Sequence, residues 1–455
     1  MRIRTSILSA GLIGCMGAGL LACEDPFPPP SEVDVQESRA RGGFEVWIAD
    51  QSDTAPGHGG QLLIFEGSDL MGSSPGKAEP IARINLAEST TTLCEQSTGA
   101  RPTRPHMVLF NRENTHAILS FVASGHVVIF DAETREPLSC MRTTQSSGGL
   151  RQAHAAFPAP DGSYILIANQ SGKQLERINT NFVTNEYTHD AAATLDLAMC
   201  TTPNGDPCEH PDLRPINWPI CPIIDASSQY GFVTLRGGGM FVVNPRTTPI
   251  SIVAEYDSAT IKGNGCGGVQ VDNAMFINSG GSPVMVGPGH PAIYGFDVYR
   301  FPLTGFSATR PRNEPAPELL LSEDGMADSH GLATAGGNRY VWVMDRHADV
   351  VEIIEVATGQ RVNTVNLNGA LTGNAAPDLT DVAPGGNRIF VSLRGPTPLS
   401  GDPHNAMGDT PGLGVLRVTN NGRSGSLMSI VPITNPWQQP NQNPDPHGMR
   451  VRVRS

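Results

Sequence analysis

The sequence predicts an all-β protein, and three observations point to that fold class. Glycine and proline account for 50 and 38 of the 455 residues, and charged residues for only 16%. That composition argues against a coiled coil or a long helical bundle, because these folds contain far less Gly and Pro. Short apolar segments with alternating polar residues recur between Gly, Asn and Asp turns, as expected of antiparallel strands. A unit of four such segments also repeats along the chain, which indicates a repeat architecture.

The repeating unit is clearest between residues 329 and 365. A first strand is predicted at 329–333, a second at 340–343 after a Gly-Gly-Asn turn, a third at 350–354 and a fourth at 362–365. We name these strands A to D; hairpin turns connect them. Comparable openings of strand A occur at seven places, namely His106, His154, Cys221, Cys266, His330, Leu379 and His447.

Each end of the chain carries an incomplete unit. Residues 449–453 suffice for one strand A, whereas 44–49, 62–65 and 81–86 supply strands B, C and D. Fragments of this kind complete one another when a β-propeller closes, because its two chain ends then share one blade and leave no open sheet edge.

We therefore predict a seven-bladed β-propeller that forms a single domain over residues 43–455. The alternative is a pair of β-sandwiches divided near residues 210–220. That alternative leaves the half-unit at each end of the chain unexplained.

The first residues predict a targeting signal. Arg2 and Arg4 precede an uncharged apolar stretch that ends at Leu21, which is typical of a secretory signal and short for a membrane span. The following Ala22-Cys23 completes a sequence, Leu-Leu-Ala-Cys, that resembles the bacterial lipobox. This resemblance implies that residues 1–22 are removed and that Cys23 carries lipid.

Residues 23–42 are predicted to form a solvated, proline-containing tether. Residue 24, which follows Cys23, is Glu. An aspartate at this position would signal retention at the inner membrane, so the glutamate favours attachment to the outer membrane of a bacterial cell envelope. The chain has 31 basic and 44 acidic residues and a formal charge of −13. This balance argues against nucleic acid as a partner, because phosphate binding requires clustered Lys and Arg.

The repeated pattern of a His-Gly pair, a Gly-containing turn and a Tyr-Val strand, seen in His330-Gly331 and Tyr340-Val341, resembles the YVTN or lactonase-like propellers. The resemblance covers most of the chain after residue 42. It implies a fold rather than a reaction, because one fold supports many functions.

Strand A begins, and strand B ends, at the same mouth of the central channel of a propeller. Most of the long predicted loops, such as 88–105, 190–219 and 395–412, fall on that side, and binding residues concentrate on loops held by a rigid scaffold. The ligand-binding candidates at this mouth are His106, His154, His330, His447, Arg236, Asp345 and Arg394.

The four histidines at matching positions could bind a transition metal, with Cu, Zn and Fe as candidates, and Asp328 or Asp445 could hydrogen-bond such ligands. A packing role for these histidines is the alternative that we favour. His330 and Arg394 are the candidate catalytic residues for lactone opening. Arg236 and Arg394 would also suit a small anionic or polyhydroxylated ligand.

Six cysteines remain beside Cys23 and the Cys15 of the signal, and an even number in an oxidising compartment such as the periplasm indicates disulfides. Candidate bridges join Cys200 to Cys208, Cys94 to Cys140, and Cys221 to Cys266. Six cysteines allow 15 pairings, so the sequence leaves the connectivity open.

Three functions follow as hypotheses. The preferred one is an envelope lipoprotein whose loop-rich face binds a partner protein or a small ligand. The second is a lactonase-like hydrolase at the channel mouth, and the third is a metalloprotein with a histidine-lined site. The sequence contains no G-x-S-x-G, HExxH or phosphate-binding Gly-Lys-Ser/Thr motif, so the enzymatic hypotheses rest on the mouth residues alone.

Overall fold

The computed structural model describes residues 43–280, 295–309, 313–400, 406–440 and 442–454. Within these residues the chain forms seven antiparallel sheets of four strands each. The all-β fold class and the seven-bladed propeller predicted from the repeat are therefore confirmed.

The strands are, in chain order, β1 (Phe44–Asp50), β2 (Gln61–Glu66), β3 (Ala82–Asn85), β4 (Pro105–Phe110), β5 (His116–Phe121), β6 (His126–Asp131), β7 (Pro137–Arg142), β8 (Ala153–Pro158), β9 (Tyr164–Asn169), β10 (Gln174–Asn181), β11 (Glu186–Asp196), β12 (Pro219–Ile224), β13 (Gly231–Leu235), β14 (Met240–Asn244), β15 (Ser251–Tyr256), β16 (Gly268–Val271), β17 (Ala274–Asn278), β18 (Phe296–Pro302), β19 (Glu318–Glu323), β20 (Ser329–Ala335), β21 (Tyr340–Asp345), β22 (Val350–Glu355), β23 (Arg361–Asn366), β24 (Pro377–Val382), β25 (Arg388–Leu393), β26 (Gly412–Thr419), β27 (Ser424–Pro432) and β28 (Pro446–Val453). Three short helices accompany them in the described residues, α1 (Gly67–Met71), α2 (Leu86–Ser89) and α3 (Thr91–Thr98).

Blade 1 has the strand order β28-β1-β2-β3, and blades 2 to 7 each use four consecutive strands from β4 onward. The innermost strands are β28, β4, β8, β12, β16, β20 and β24. Neighbouring inner strands pack against one another around most of the ring. The apolar side chains of each blade are buried against the next blade, as in the clusters around Trp47 and Trp342, both fully buried.

The two ends of the chain close the ring as predicted. Strand β28 pairs antiparallel with β1, so that Phe44 lies opposite Val453 and Ile48 opposite Met449. An ion pair of 3.0 Å between Arg452 and Glu45 joins the same two strands. Both are buried, so the pair reinforces the backbone hydrogen bonds of the shared blade.

Close packing of the inner strands explains the glycine that follows two of the histidines. A Cβ atom on Gly448 would lie 2.3 Å from the carbonyl oxygen of His106, and one on Gly331 would lie 2.3 Å from that of Asp378. Such contacts are far inside van der Waals distance. The His-Gly pairs therefore let the backbones of adjacent blades approach at the channel.

Residues 1–42 lie outside the described residues. The signal peptide of residues 1–22, the lipid-bearing Cys23 and the tether of residues 23–42 therefore stay predictions. Among the helices that the structure does describe, none combines the length and the apolar character that crossing a bilayer requires.

Candidate functional site

The side chains at one end of the channel come from equivalent positions of the inner strands. The second residue of the strand is His106 in β4, His154 in β8, His330 in β20 and His447 in β28. Strand pairing confirms that the positions match, because the preceding residue lies opposite the last residue of the neighbouring strand in each case. All four predicted histidines therefore lie at the same end of the channel.

The same position in β24 is occupied by Asp378, because Pro377 lies opposite Leu393. The prediction of Leu379 at this position is wrong by one residue and omits the carboxylate of Asp378. Cys221 likewise stands one residue later than the matching Ile220 of β12. The missed signal is the proline before the site residue, which Pro105, Pro377 and Pro446 share.

The four histidine rings form a continuous row. The ring of His106 stacks on that of His447 at 3.8 Å between centroids and meets the ring of His154 edge-on at 4.6 Å. His330 follows at 5.2 Å from His447. Neighbouring rings of the row are thus in contact with one another.

A cavity of about 290 Å³ opens over this row. Its wall contains the four histidines and three arginines, Arg104, Arg236 and Arg346. Other polar or aromatic side chains complete it, namely Gln152, Gln170, Trp218, Asn264 and Ser400. None of the described residues that line the cavity is a carboxylate, so the wall favours an anionic ligand. Several of these residues lie in the predicted long loops 88–105, 190–219 and 395–412.

A buried ionic network lies directly beneath the cavity. The carboxylate of Asp378 accepts hydrogen bonds from Nδ1 of His330, from Arg346 at 2.9 Å and from Arg394 at 2.7 Å. Arg346 also bonds Asp328, at 2.6 Å. These side chains are at most 5% exposed, and buried charges of this kind are stable only when paired.

The network ends at Asp445, which Arg394 contacts through Nε and Nη2 at 2.7 Å each. Asp328 and Asp445, expected from sequence to hydrogen-bond histidines, hold the two arginines instead. Arg394 itself is fully buried and lies behind Asp378, outside the cavity wall. Arg346, rather than the predicted Arg394, lies on the cavity wall.

Electrostatics keep most of this row neutral. Burial lowers the pKa of His106 and His447 well below the ordinary value, and neighbouring histidines and Arg394 lower it further. Burial, with His330 and Arg236, lowers the pKa of His154 to about 3. Burial raises the pKa of Asp378, but the contributions of Arg346 and the two nearest histidines outweigh it, and the net pKa lies well below the usual range.

The hydrogen-bond partners fix the tautomers of two histidines. Since the ionised carboxylate of Asp378 can only accept, Nδ1 of His330 carries the hydrogen. Nδ1 of His447 likewise donates to the carbonyl oxygen of His106 at 3.1 Å. In the neutral form of His330 and of His447, the other ring nitrogen, Nε2, therefore carries a lone pair. Nε2 of His106 is buried without a hydrogen-bond partner among the described residues.

Two other predicted ligand-binding residues take different places. Arg236 lies on the cavity wall, where its Nη1 donates to Asn264 at 3.3 Å. Asp345 lies outside the wall and accepts backbone hydrogen bonds from Asp328, His347 and Ala348. Burial raises the pKa of Asp345 to about 6. Its role in the structure is to hold the turn that carries Arg346.

The three candidate disulfides are all formed. Cys94 of helix α3, which precedes blade 2, bonds Cys140 of β7, the outermost strand of that blade, and Cys200 bonds Cys208 across a short loop. The third bridge joins Cys221 of β12 to Cys266, just before β16, across two blades. Below it, a second cavity of about 490 Å³, whose wall is partly apolar and partly polar, opens toward the opposite end of the channel.

No protein-family model matches the chain, and no curated protein matches it. Solved structures do. A proposed 6-phosphogluconolactonase of Bacteroides fragilis superposes with a TM-score of 0.55 at 11% identity, over 93% of this chain and 99% of that one. A periplasmic gluconolactonase of Pseudomonas aeruginosa gives a TM-score of 0.55 at 12% identity, over 90% and 100%. At such identities the likeness concerns architecture: the chain is a seven-bladed β-propeller with the overall fold of these two proteins.

Proposed function

We propose that the protein is a hydrolase that opens a small anionic lactone in the cavity over the histidine row. The observation that carries the proposal is the pair formed by His330 and Asp378. It places an imidazole with a fixed tautomer on the wall of a cavity that also presents arginines. An acid–base group beside cationic groups is what ester hydrolysis requires.

In this reaction Nε2 of His330 takes a proton from a water molecule, and the resulting hydroxide attacks the lactone carbonyl carbon. Asp378 stabilises the imidazolium that forms. Arg346 stabilises the negative charge that develops on the carbonyl oxygen through N–H groups not bonded to Asp328 or Asp378. The bond between the carbonyl carbon and the ring oxygen then breaks, and the imidazolium returns its proton to that oxygen, giving a hydroxy acid.

The wall supports an anionic substrate. It contains three arginines, Arg104, Arg236 and Arg346. The carboxylates of Asp378 and Asp328 lie beneath the wall, and each is hydrogen-bonded to the guanidinium group of Arg346. Guanidinium groups bind carboxylate and phosphate in bidentate geometry. The two architectural neighbours described above are both named as lactonases, of 6-phosphogluconolactone and of gluconolactone, which favours sugar lactones as the first compounds to test.

A metal ion is less well supported at the same place. Ligand atoms of His330, Asp378 and His447 lie within 4.8 Å of one another. However, Asp378 already accepts hydrogen bonds from three side chains, two of them guanidinium groups. Those two positive charges repel a cation, and the carboxylate would have to release a partner to bind it. The hydrolytic role requires no such rearrangement.

The decisive experiment measures acid release from anionic and neutral sugar lactones by purified protein in a pH-stat. We expect faster turnover of the anionic lactones. Replacing His330 by Gln should lower kcat about 100-fold or more, the usual contribution of a general base. His189→Gln is the matched control, because His189 also pairs with a carboxylate, Glu176 at 2.7 Å, on the outer part of blade 3.

Turnover that His330→Gln leaves unchanged would refute the catalytic role. Saturable binding of a sugar acid without turnover would instead support the ligand-binding scaffold that the sequence analysis preferred. One equivalent of tightly held Cu, Zn or Fe in protein purified without a tag would favour the metalloprotein hypothesis.

We also propose that the protein is anchored in the bacterial envelope through Cys23, on the strength of the lipobox-like sequence. Full-length protein expressed in a Gram-negative bacterium should partition into the detergent phase. The variant Cys23→Ala should appear in the aqueous phase, and equal partition of both would exclude the anchor.

A further inference from the structure

The disulfide between Cys221 and Cys266 lies between the two cavities of the channel. Cys266 and Met107 line the larger cavity, and His154 lines the smaller one. The bridge joins β12 of blade 4 to the residue that precedes β16 of blade 5 by two positions. It therefore forms part of the layer that divides the channel, and both sides of that layer are open to small molecules.

Two further donor atoms surround the bridge. Sδ of Met107 lies 3.9 Å from Sγ of Cys221 and 3.8 Å from Sγ of Cys266. On the other side, Nδ1 of His154 lies 3.9 Å from Sγ of Cys221. The four side chains are at most 8% exposed. Three sulfur atoms and one imidazole nitrogen thus meet at a buried point.

These separations match those of a tetrahedral metal complex. With metal–sulfur bonds near 2.3 Å and metal–nitrogen bonds near 2.0–2.1 Å, tetrahedral ligands stand about 3.5–3.8 Å apart. Three of the contacts already have nearly that length. The two cysteine sulfurs are too close, because they are bonded to each other. A ring nitrogen of His154 lies within 4.8 Å of both of them.

We propose that reduction of the Cys221–Cys266 disulfide creates a buried site for Cu(I), with Cys221, Cys266, Met107 and His154 as its ligands. This site is distinct from the hydrolytic pair His330 and Asp378, and neither proposal depends on the other.

The chemistry requires a dithiol reductant. The dithiol gives two electrons and two protons to the bridge and becomes a cyclic disulfide, while the bond between the Cys221 and Cys266 sulfurs breaks and two thiols form. Binding of Cu(I) then displaces these two protons to solvent. Freed from the bond, the sulfurs can separate to the distance that the ion demands.

The donor set selects copper in its reduced state. Thiolate and thioether sulfur are soft ligands that favour Cu(I), and the thioether of Met107 would contribute little to Zn²⁺. Two thiolates and Cu(I) leave one negative charge in the channel. Arg236 and Arg346 exert a positive potential at His154 and so compensate that charge.

The test begins with full-length protein reduced by a dithiol, desalted without oxygen and titrated with Cu(I) held by bicinchoninate. The reduced protein should withdraw one Cu(I) from the chelator, and the oxidised protein none. X-ray absorption should show a mainly sulfur coordination shell. Met107→Leu, which conserves volume, should weaken binding by at least about 10-fold, because even loss of an outer partner of a metal ligand has that effect.

Two double variants separate the site from the other cysteines. Cys221→Ser with Cys266→Ser should abolish the copper binding, whereas Cys200→Ser with Cys208→Ser, which removes the loop bridge, should preserve it. Equal loss in both variants would overturn the proposal. So would failure of the reduced protein to hold Cu(I), or loss of its near-ultraviolet circular dichroism on reduction, since the bridge would then be purely structural.

Discussion

Asp378 accepts a hydrogen bond from Nδ1 of His330, although 48 positions separate the two residues in the chain. Each is the second residue of the inner strand of its blade, and the blades are adjacent. The contact is thus a product of the circular arrangement of repeats. It turns two equivalent positions of one structural unit into a hydrogen-bonded pair of a histidine and an aspartate.

Replacing Asp378 by Asn should impair catalysis more than substrate binding. The amide can no longer stabilise an imidazolium or hold the hydrogen on Nδ1 of His330, so kcat should fall by about 10²–10⁴. KM should stay close to that of the wild type. Steady-state kinetics on an anionic sugar lactone measure both constants, with circular dichroism as the check on folding. A raised KM with unchanged kcat would assign Asp378 to binding instead.

Replacing Arg394 by Met should destabilise the fold severely. It leaves Asp445 without its guanidinium partner and Asp378 with one guanidinium fewer, in a fully buried region. Breaking a buried pair costs about 3–5 kcal/mol in unfolding free energy.

Urea unfolding of this variant can be compared with that of Arg101→Met. Arg101 is 55% exposed at its side chain and pairs with Glu95, which is 43% exposed. Its loss should cost less than about 1 kcal/mol. Similar losses in the two variants would mean that the buried network contributes no special stability.

Stability should fall as the pH is lowered below about 6.5 because of the buried neutral histidines. The pKa of His154 is lowered to about 3, so between 6.5 and 3 the unfolded chain binds a proton that the folded chain excludes. At pH 5 this amounts to about 2 kcal/mol in favour of unfolding. Asp345 acts in the opposite direction, because its pKa is raised to about 6 and the folded chain therefore binds the extra proton there.

The contribution of His154 can be isolated with His154→Gln. Between pH 7 and pH 5, the unfolding free energy of the variant should fall by about 2 kcal/mol less than that of the wild type. Urea titrations at the two pH values measure it. The same pH dependence in both proteins would show that His154 titrates alike in the folded and unfolded states.

Replacing Gly448 by Ala should loosen the contact between blades 1 and 2. The new Cβ would meet the backbone of His106 and Met107 at 2.3 and 2.6 Å, and overpacking of this kind costs about 1–3 kcal/mol. Gly369→Ala is the control, since no heavy atom lies within 4 Å of its added Cβ. Thermal unfolding should show a lower Tm for the first variant only. Equal Tm values would mean that the inner strands tolerate the methyl group.

The circular closure was accessible from sequence because both ends of the chain carry part of the same repeat. Residues 449–453 and 44–49 could be assigned to one blade because each belongs to an incomplete repeat that the other completes, and the pairing of β28 with β1 confirms the assignment. The three bridges among Cys94, Cys140, Cys200, Cys208, Cys221 and Cys266 could be suggested from their places in the repeat. Local periodicity and loop position suffice for such inferences.

The buried network was not accessible in the same way. Strand A of blade 7 begins with the sequence Pro-Asp-Leu-Thr. Because Leu379 is apolar, the sequence pattern places it at the position equivalent to the histidines, which Asp378 occupies in the structure. A bulge in the pairing of β24 with β25, between Pro377 and Thr380, shifts the register at that point. Alternation of polar and apolar residues cannot locate such a shift. The choice between Arg394 and Arg346 at the cavity wall also depends on side-chain directions that only coordinates supply.

The ends of the described chain meet far from the histidine row: the backbone N–H of Arg454 donates to the carbonyl oxygen of Gly43 at 3.1 Å, at the opposite rim of the channel. A surface or a fusion protein attached directly at Gly43 or Arg454 would therefore lie at the end of the channel opposite to the histidine row. The polar opening then looks outward toward the surrounding fluid, and immobilising the protein by its ends should leave solute exchange at that opening unobstructed.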